Sequence, residues 1–140
     1  MLPKEVFLSH SSRDRKFAQK LAEALKQHGI RVWLSQRHIR GAQQWFDEIG
    51  SALQRCDWFV VVLSPNSARS TWVKRELLYA FMHARYEDKI VPVLRLTCKT
   101  KEIEGLAWTL PSLQKVDFRG SFSEGCRNLL HIGGVRYRGR

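Results

Sequence analysis

Between Thr71 and Phe81 the chain reads TWVKRELLYAF, and the residue in it with chemistry to offer is Glu76, one helical turn after Trp72. At about 100° per residue, Trp72, Val73, Leu77, Ala80, Phe81 and Ala84 gather on one side of a helix, and Glu76 falls at the margin of that side. A carboxylate so placed is either a solvated flank residue or a catalytic group held against an apolar wall. Helical spacing is compatible with both. Two further stretches carry polar candidates: Ser9, His10, Ser11 and Arg13 in EVFLSHSSRD, and Ser35, Arg37, His38 and Arg40 in SQRHIRGAQQW. Ser9-His10-Ser11 is not a catalytic triad, because adjacent residues of an extended run point to opposite faces. His10 reads more simply as a rim residue satisfied by local hydrogen bonds, and Cys56 as a small core residue. No phosphate-loop motif, HExxH or GxSxG occurs, which removes phosphate-loop, zinc-protease and hydrolase-elbow chemistry.

The elements that must position these residues belong to one domain, since 140 residues suit a single sizeable core. A hydrophobic fraction of 44% with five tryptophans is that of a globular chain. Lys and Arg number 24 against 13 Asp and Glu, a net charge of +11. That balance suits nucleotides, nucleic acid or an acidic membrane surface, or simply a solvated basic surface. The basic residues are dispersed and spell out no RNA or DNA module, so nucleic acid is the minor reading. Three widely spaced cysteines, with no CxxC and no histidine pattern, indicate neither a disulfide framework nor a zinc site. They fit a reducing cytoplasm. No apolar run approaches ~18 residues, so no membrane span is expected, and the N-terminus has no signal-peptide core.

Two periodicities alternate along the chain. Glu5 to Ser9, Ile30 to Ser35, Asp57 to Ser64, Lys89 to Leu96 and Lys115 to Phe118 are short, apolar, largely β-branched or aromatic runs. Pro92 is awkward in the fourth, because proline removes a ladder donor. Between the runs, helical spacing appears at Phe17, Ala18, Leu21, Ala22 and Leu25, at Trp45, Phe46, Ile49 and Leu53, and from about Ser70 to Arg85. A weaker helix is expected near Ser121 to Ile132. Ser11 to Asp14 resembles a capping box, and Gly29 a residue just past a helix end. Residues 133–140, GGVRYRGR, form a basic glycine-rich tail or the start of a linker after a domain of residues 1–132.

Strands alternating with helices imply right-handed βαβ units and a parallel sheet covered on both faces. Such sheets bind ligands outside the carboxyl ends of the strands. Those ends are Ser9-His10, Ser35-Gln36 and Ser64-Pro65, and the helix of Glu76 follows the third. A phosphoacceptor receiver domain would share this topology but needs paired acids after the first strand and an aspartate ending the third, and Ser9-His10 and Ser64 stand there.

EVFLSHSSRD, RVWL, SQRHIRGAQQW, CDWFVVVLSPNSARSTWVKREL and KIVPVL, in that order, resemble a TIR (Toll/interleukin-1 receptor) domain of the bacterial type over nearly the whole chain. The resemblance implies an α/β, flavodoxin-like sheet of five parallel strands in the order 2-1-3-4-5. It also implies one of two trades. Some members cleave NAD at its nicotinamide bond with the helix glutamate that matches Glu76, and others only self-associate as adaptors or scaffolds. In the first, Glu76 is the catalytic carboxylate, with Trp72 packed beside it; NAD is substrate and no cofactor is implied. Ser9, His10, Ser11 and Arg13 would bind the substrate, with backbone N–H groups near Ser11 to Arg13 and the Arg13 side chain serving the diphosphate, and Ser35, Arg37 and Arg40 would belong to a loop closing over the ligand. This chain departs from many relatives at Ser35-Gln36, where an acidic residue is usual, and at His10, where tyrosine is.

The ten residues from Ser35 to Gln44 make a long connection with Gly41 as hinge, and long loops in compact domains are lids or contact surfaces. Self-association through this loop, with activity rising on clustering, is therefore expected, and the resemblance further implies a place as the effector of a bacterial defence or signalling system. The alternative is a scaffold with no chemistry.

Overall fold

The computed structural model describes residues 3–35 and 42–138, with the backbone alone for 42–46. Five strands form one parallel sheet in the order β2-β1-β3-β4-β5, as the resemblance implied. They are β1 (Glu5–Ser9), β2 (Arg31–Leu34), β3 (Trp58–Leu63), β4 (Ile90–Leu94) and β5 (Val116–Asp117). The α-helices are α1 (Arg15–Gln27), α2 (Ala42–Arg55), α3 (Pro65–Ala68), α4 (Thr71–Met82), α5 (Thr100–Leu106) and α6 (Phe122–Ile132).

Strand alternation sorts the core into two layers. Val6, Leu8, Val60, Val62, Val91 and Val93 turn towards α1 and α6, where Leu21, Leu25, Cys126 and Leu130 meet them. Phe7, Phe59, Val61 and Leu63 turn the other way, onto Ile49 and Leu53 of α2, Val73 and Leu77 of α4, and Ile103 and Leu106 of α5. Val60 to Leu63 are therefore buried on both faces, as suits a central parallel strand. Val135 and Tyr137 of the tail pack against the first layer, and Tyr137 stacks on His28 with ring centroids 5.5 Å apart.

Pro92 is accommodated by register. Lys89 accepts from Phe59 N–H and Arg95 N–H donates to Leu63, so odd-numbered residues of β4 bond to β3 and Pro92 faces β5. The β5 ladder starts only at Val93↔Val116, one residue later, so no donor is missed there.

Several boundaries differ from the sequence reading. The stretch between Ser64 and the helix of Glu76, for which no element was expected, contains α3, capped by Ser64 through a reciprocal capping box with Ser67. The helix expected to reach Arg85 stops at Met82 and gives way to a 3-10 turn at Ala84–Tyr86. The connection after Ser35 is shorter than expected, because α2 begins at Ala42. No helical pattern was read for α5. Ser11 caps a 3-10 turn, Ser12–Asp14, by accepting from Arg13 N–H, and Asp14 makes no capping bond. Gly29 does sit just past α1 with φ 79°, a left-handed conformation that glycine adopts without strain.

Candidate functional site

The geometry of Glu76 starts from a shift in the buried face of α4. Val73, Glu76, Leu77 and Ala80 are its buried residues, an i, i+3, i+4, i+7 set. Glu76 therefore lies within the buried stripe and not at its margin. It is 2% exposed, whereas Phe81, expected on the stripe, is 37% exposed, and Ala84 is exposed too. Hydrophobicity alone placed the stripe one position round the helix, since Trp72 and Phe81 pulled it outward.

A buried carboxylate must find donors, because desolvating an ion without partners is costly. Among the described residues, two donors to Glu76 come from neighbouring strand ends. Phe7 and Trp33 pair across β1 and β2 and stack with ring centroids 5.1 Å apart; two residues on, Ser9 and Ser35 therefore face the same side. Ser35 N–H donates to Leu8 O at 3.2 Å, which continues the pairing past the end of β2. Ser9 Oγ donates to Glu76 Oε1 at 2.7 Å, and Ser35 Oγ donates to Oε2. Ser9 and Ser35 are themselves buried. The result is a carboxyl group held in one position at the carboxyl end of the sheet, beside β1, where the strand order reverses.

The other sequence candidates divide. His10 is buried, and its Nδ1 donates to Ser11 O at 2.8 Å, which fixes the protonated ring nitrogen. Ser11 is buried as the cap of the first turn, while Arg13 is exposed. Trp72 is half-buried, not enclosed, and the guanidinium of Arg75 lies over its ring, 5.6 Å from the centroid. Arg37, His38, Arg40 and Gly41 lie outside the described residues. Cys56 is fully buried, and burial pushes its thiol up to about 12, so it is a core residue as expected. Among the described residues, no group of His, Cys, Asp and Glu side chains could hold a metal ion, and no helix is long and apolar enough to cross a membrane.

Sequence reasoning missed a second polar cluster on the opposite side of the sheet. Asp14, 1% exposed, accepts from Ser64 Oγ at 2.5 Å and lies 3.4 Å from Arg95 Nη1. A polar cluster joining the ends of β1, β3 and β4, in which Asp14 is buried and Arg95 only partly so, has no local signature, since Ser64 and Arg95 lie 50 and 81 residues from Asp14.

A family model described as TIR domain matches residues 6–130. The chain belongs to the TIR domain family. Its TIR fold is also that of solved structures: the TIR domain of the Toll-related receptor TRR-2 of Hydra magnipapillata superposes with a TM-score of 0.73 at 19% identity, covering 92% of this chain and 97% of that one. The TIR domains of the activated Roq1 resistosome superpose with a TM-score of 0.71 at 22% identity, covering 91% and 98%. Among curated relatives, a probable 2' cyclic ADP-D-ribose synthase, TcpO, of Methanobrevibacter olleyae is 28% identical over 91 residues, 64% of this chain and 27% of the relative. A probable 2' cyclic ADP-D-ribose synthase of Brachypodium distachyon is 35% identical over 64% of this chain and 39% of its own. The NAD(+) hydrolase TirS of Staphylococcus aureus is 29% identical over 64% of this chain and 32% of its own. The TIR domain described here thus spans about a third of the length of the curated relatives it matches.

Proposed function

We propose that this TIR domain cleaves the bond between nicotinamide and ribose in NAD, with Glu76 as the catalytic carboxylate. The observation that carries the reading is the buried Glu76 side chain, held by Ser9 and Ser35 at the ligand-binding edge of the sheet. Relatives named as NAD(+) hydrolases and cyclic ADP-D-ribose synthases supply the substrate class.

The chemistry suits one fixed anion. Nicotinamide leaves as a neutral molecule, taking the bonding electron pair, and positive charge develops on the ribose. A preorganised carboxylate beside the sugar stabilises that charge without any proton transfer to the leaving group. The cation is then quenched by water, which releases a proton and gives ADP-ribose, or by a hydroxyl of the same molecule, which gives a cyclic product. Trp72 limits water at the carboxylate, so the charge is less screened. Arg13, exposed in the turn after β1, is assigned to the diphosphate, and His10, Ser11, Arg37 and Arg40 are assigned as further substrate contacts.

Self-association belongs to the same reading. Leu78, Phe81 and Met82 leave an apolar strip of α4 exposed, Met82 by 76%, and such strips mark contact surfaces. Clustered domains acting as the effector of a bacterial defence or signalling system in the cytoplasm would use it together with the second loop. The scaffold alternative rests on the same exposed strip without the chemistry. Incubating the protein with NAD across a concentration series, with a crowding agent, and following free nicotinamide by chromatography separates the two. Specific activity that rises with concentration supports the enzyme, and no nicotinamide at any concentration supports the scaffold.

A further inference from the structure

The Asp14 cluster has no part in the reading above, yet it joins the two chain segments that create the Glu76 site. Asp14 closes the turn that follows Ser9, its N–H donating to Ser11 O at 2.9 Å. Its Oδ2 takes the proton of Ser64 Oγ. A hydroxyl has one proton, so Ser64 then presents a lone pair, and this accepts Ser67 N–H at 3.2 Å to start α3. Ser67 answers by accepting Ser64 N–H at 2.9 Å. From α3 the chain runs through Ser70, the cap of α4, to Glu76. Ser64 and Ser67 are wholly buried.

The cluster also carries a cost. Arg95 Nε is buried with no hydrogen-bond partner among the described residues. Its guanidinium lies over the Phe17 ring, 5.5 Å from the centroid, and reaches Asp14 only at 3.4 Å. An unmet buried donor and a long, partly buried ion pair are poor stabilisers, which leaves fixing one arrangement among several as the role of the cluster.

We infer that Asp14 is a positioning residue for Glu76: by holding Ser64 as the cap of α3, it sets α4 so that Glu76 meets Ser9, from the opposite face of the sheet. The inference rests on Glu76 being the working carboxylate only for its kinetic consequence; the mechanical coupling stands apart from it.

The test is amide hydrogen exchange on the full chain with Asp14→Ala, Asp14→Asn and Ser64→Ala. Exchange in residues 6–14 and 64–76 is expected to rise together in Asp14→Ala by about ten- to a hundredfold, the factor for one buried hydrogen bond to a charged group. Residues 122–132 should not change. Asp14→Asn retains an acceptor for Ser64 and should recover most of the protection. Ser64→Ala should match Asp14→Ala, and the double variant should add nothing further, as members of one chain of bonds behave. In the NAD assay kcat should fall about tenfold in Asp14→Ala, with KM within about twofold. A rise confined to residues 6–14, or one uniform over the whole domain, overturns the inference. Coupled exchange in a protein that releases no nicotinamide would sustain the positioning and refute the NAD reading instead.

Discussion

Ser9 and Glu76, 67 residues apart in the chain, meet through a 2.7 Å hydrogen bond in which the hydroxyl donates to a carboxylate shielded from water. Ser35 donates to the other oxygen, so the group is gripped on both sides. Removing one donor leaves the carboxylate buried with a partner missing. Ser9→Ala and Ser35→Ala should each lower stability by about 1–3 kcal/mol. The double variant should cost less than the sum, since both act on one group. Denaturant unfolding measures this, and additive losses would mean that the two hydroxyls act independently of Glu76.

Trp72 is half-buried, with Arg75 stacked on its ring. A fully buried aromatic cut to alanine costs about 3–5 kcal/mol, and the partial exposure of Trp72 places Trp72→Ala nearer 1–2 kcal/mol. Turnover of NAD should fall by more than this loss explains, because water then reaches Glu76. A folded variant with unchanged kcat would remove Trp72 from the site.

Gly125 faces the Phe118 ring, and a Cβ placed there would sit 2.6 Å from Cε2 and 2.7 Å from Cγ. That ring packs edge-on against Phe17 at 5.4 Å and tilts against Phe122 at 5.7 Å, so it has little room to move. Gly125→Ala gains helix propensity but should still destabilise by about 1–3 kcal/mol through overpacking. A rise in Tm would show that the ring swings aside freely.

Burial pushes the Cys56 thiol up to about 12 and the Cys98 and Cys126 thiols up to about 11, and it raises the Tyr86 phenol as well. These groups are held neutral in the folded state more firmly than in the unfolded chain. Their contribution is therefore complete below the unfolded thiol value and is lost as pH climbs towards the folded values. Stability should be level from pH 7 to about 8.5 and fall beyond pH 9, with Cys56 alone contributing a loss of about 2 kcal/mol by pH 10.5. Urea midpoints against pH test it, and a midpoint that holds to pH 11 would contradict the burial of these groups.

The fold was legible in the sequence because the alternation of β-branched runs with helical stripes is a local pattern, and each run between Glu5 and Phe118 holds a strand of the sheet. Helix ends were less so: α3 hides in a short Ser-Pro turn, and α5, KEIEG between threonine and leucine, buries only Ile103 and Leu106. Of the site, Glu76 was visible as an acid on a greasy helix, but its burial was not. That depends on Ser9 and Ser35 arriving from adjacent strands, a tertiary fact. The Asp14, Ser64 and Arg95 cluster was invisible for the same reason, since each member taken alone looks like an ordinary rim residue. Arg37 and Arg40, chosen as ligand and assembly contacts, lie outside the described residues.

The most direct measurement is nicotinamide release by Glu76→Gln beside the unaltered protein, both concentrated and with NAD in excess. Glutamine keeps the size of the side chain and an oxygen for one serine while removing the charge. Release should fall by about 10²–10³-fold, as when one preorganised electrostatic contact to a transition state is removed. Circular dichroism should show the fold retained. Equal rates of nicotinamide release from the two folded proteins would contradict the assignment of Glu76 as the catalytic carboxylate.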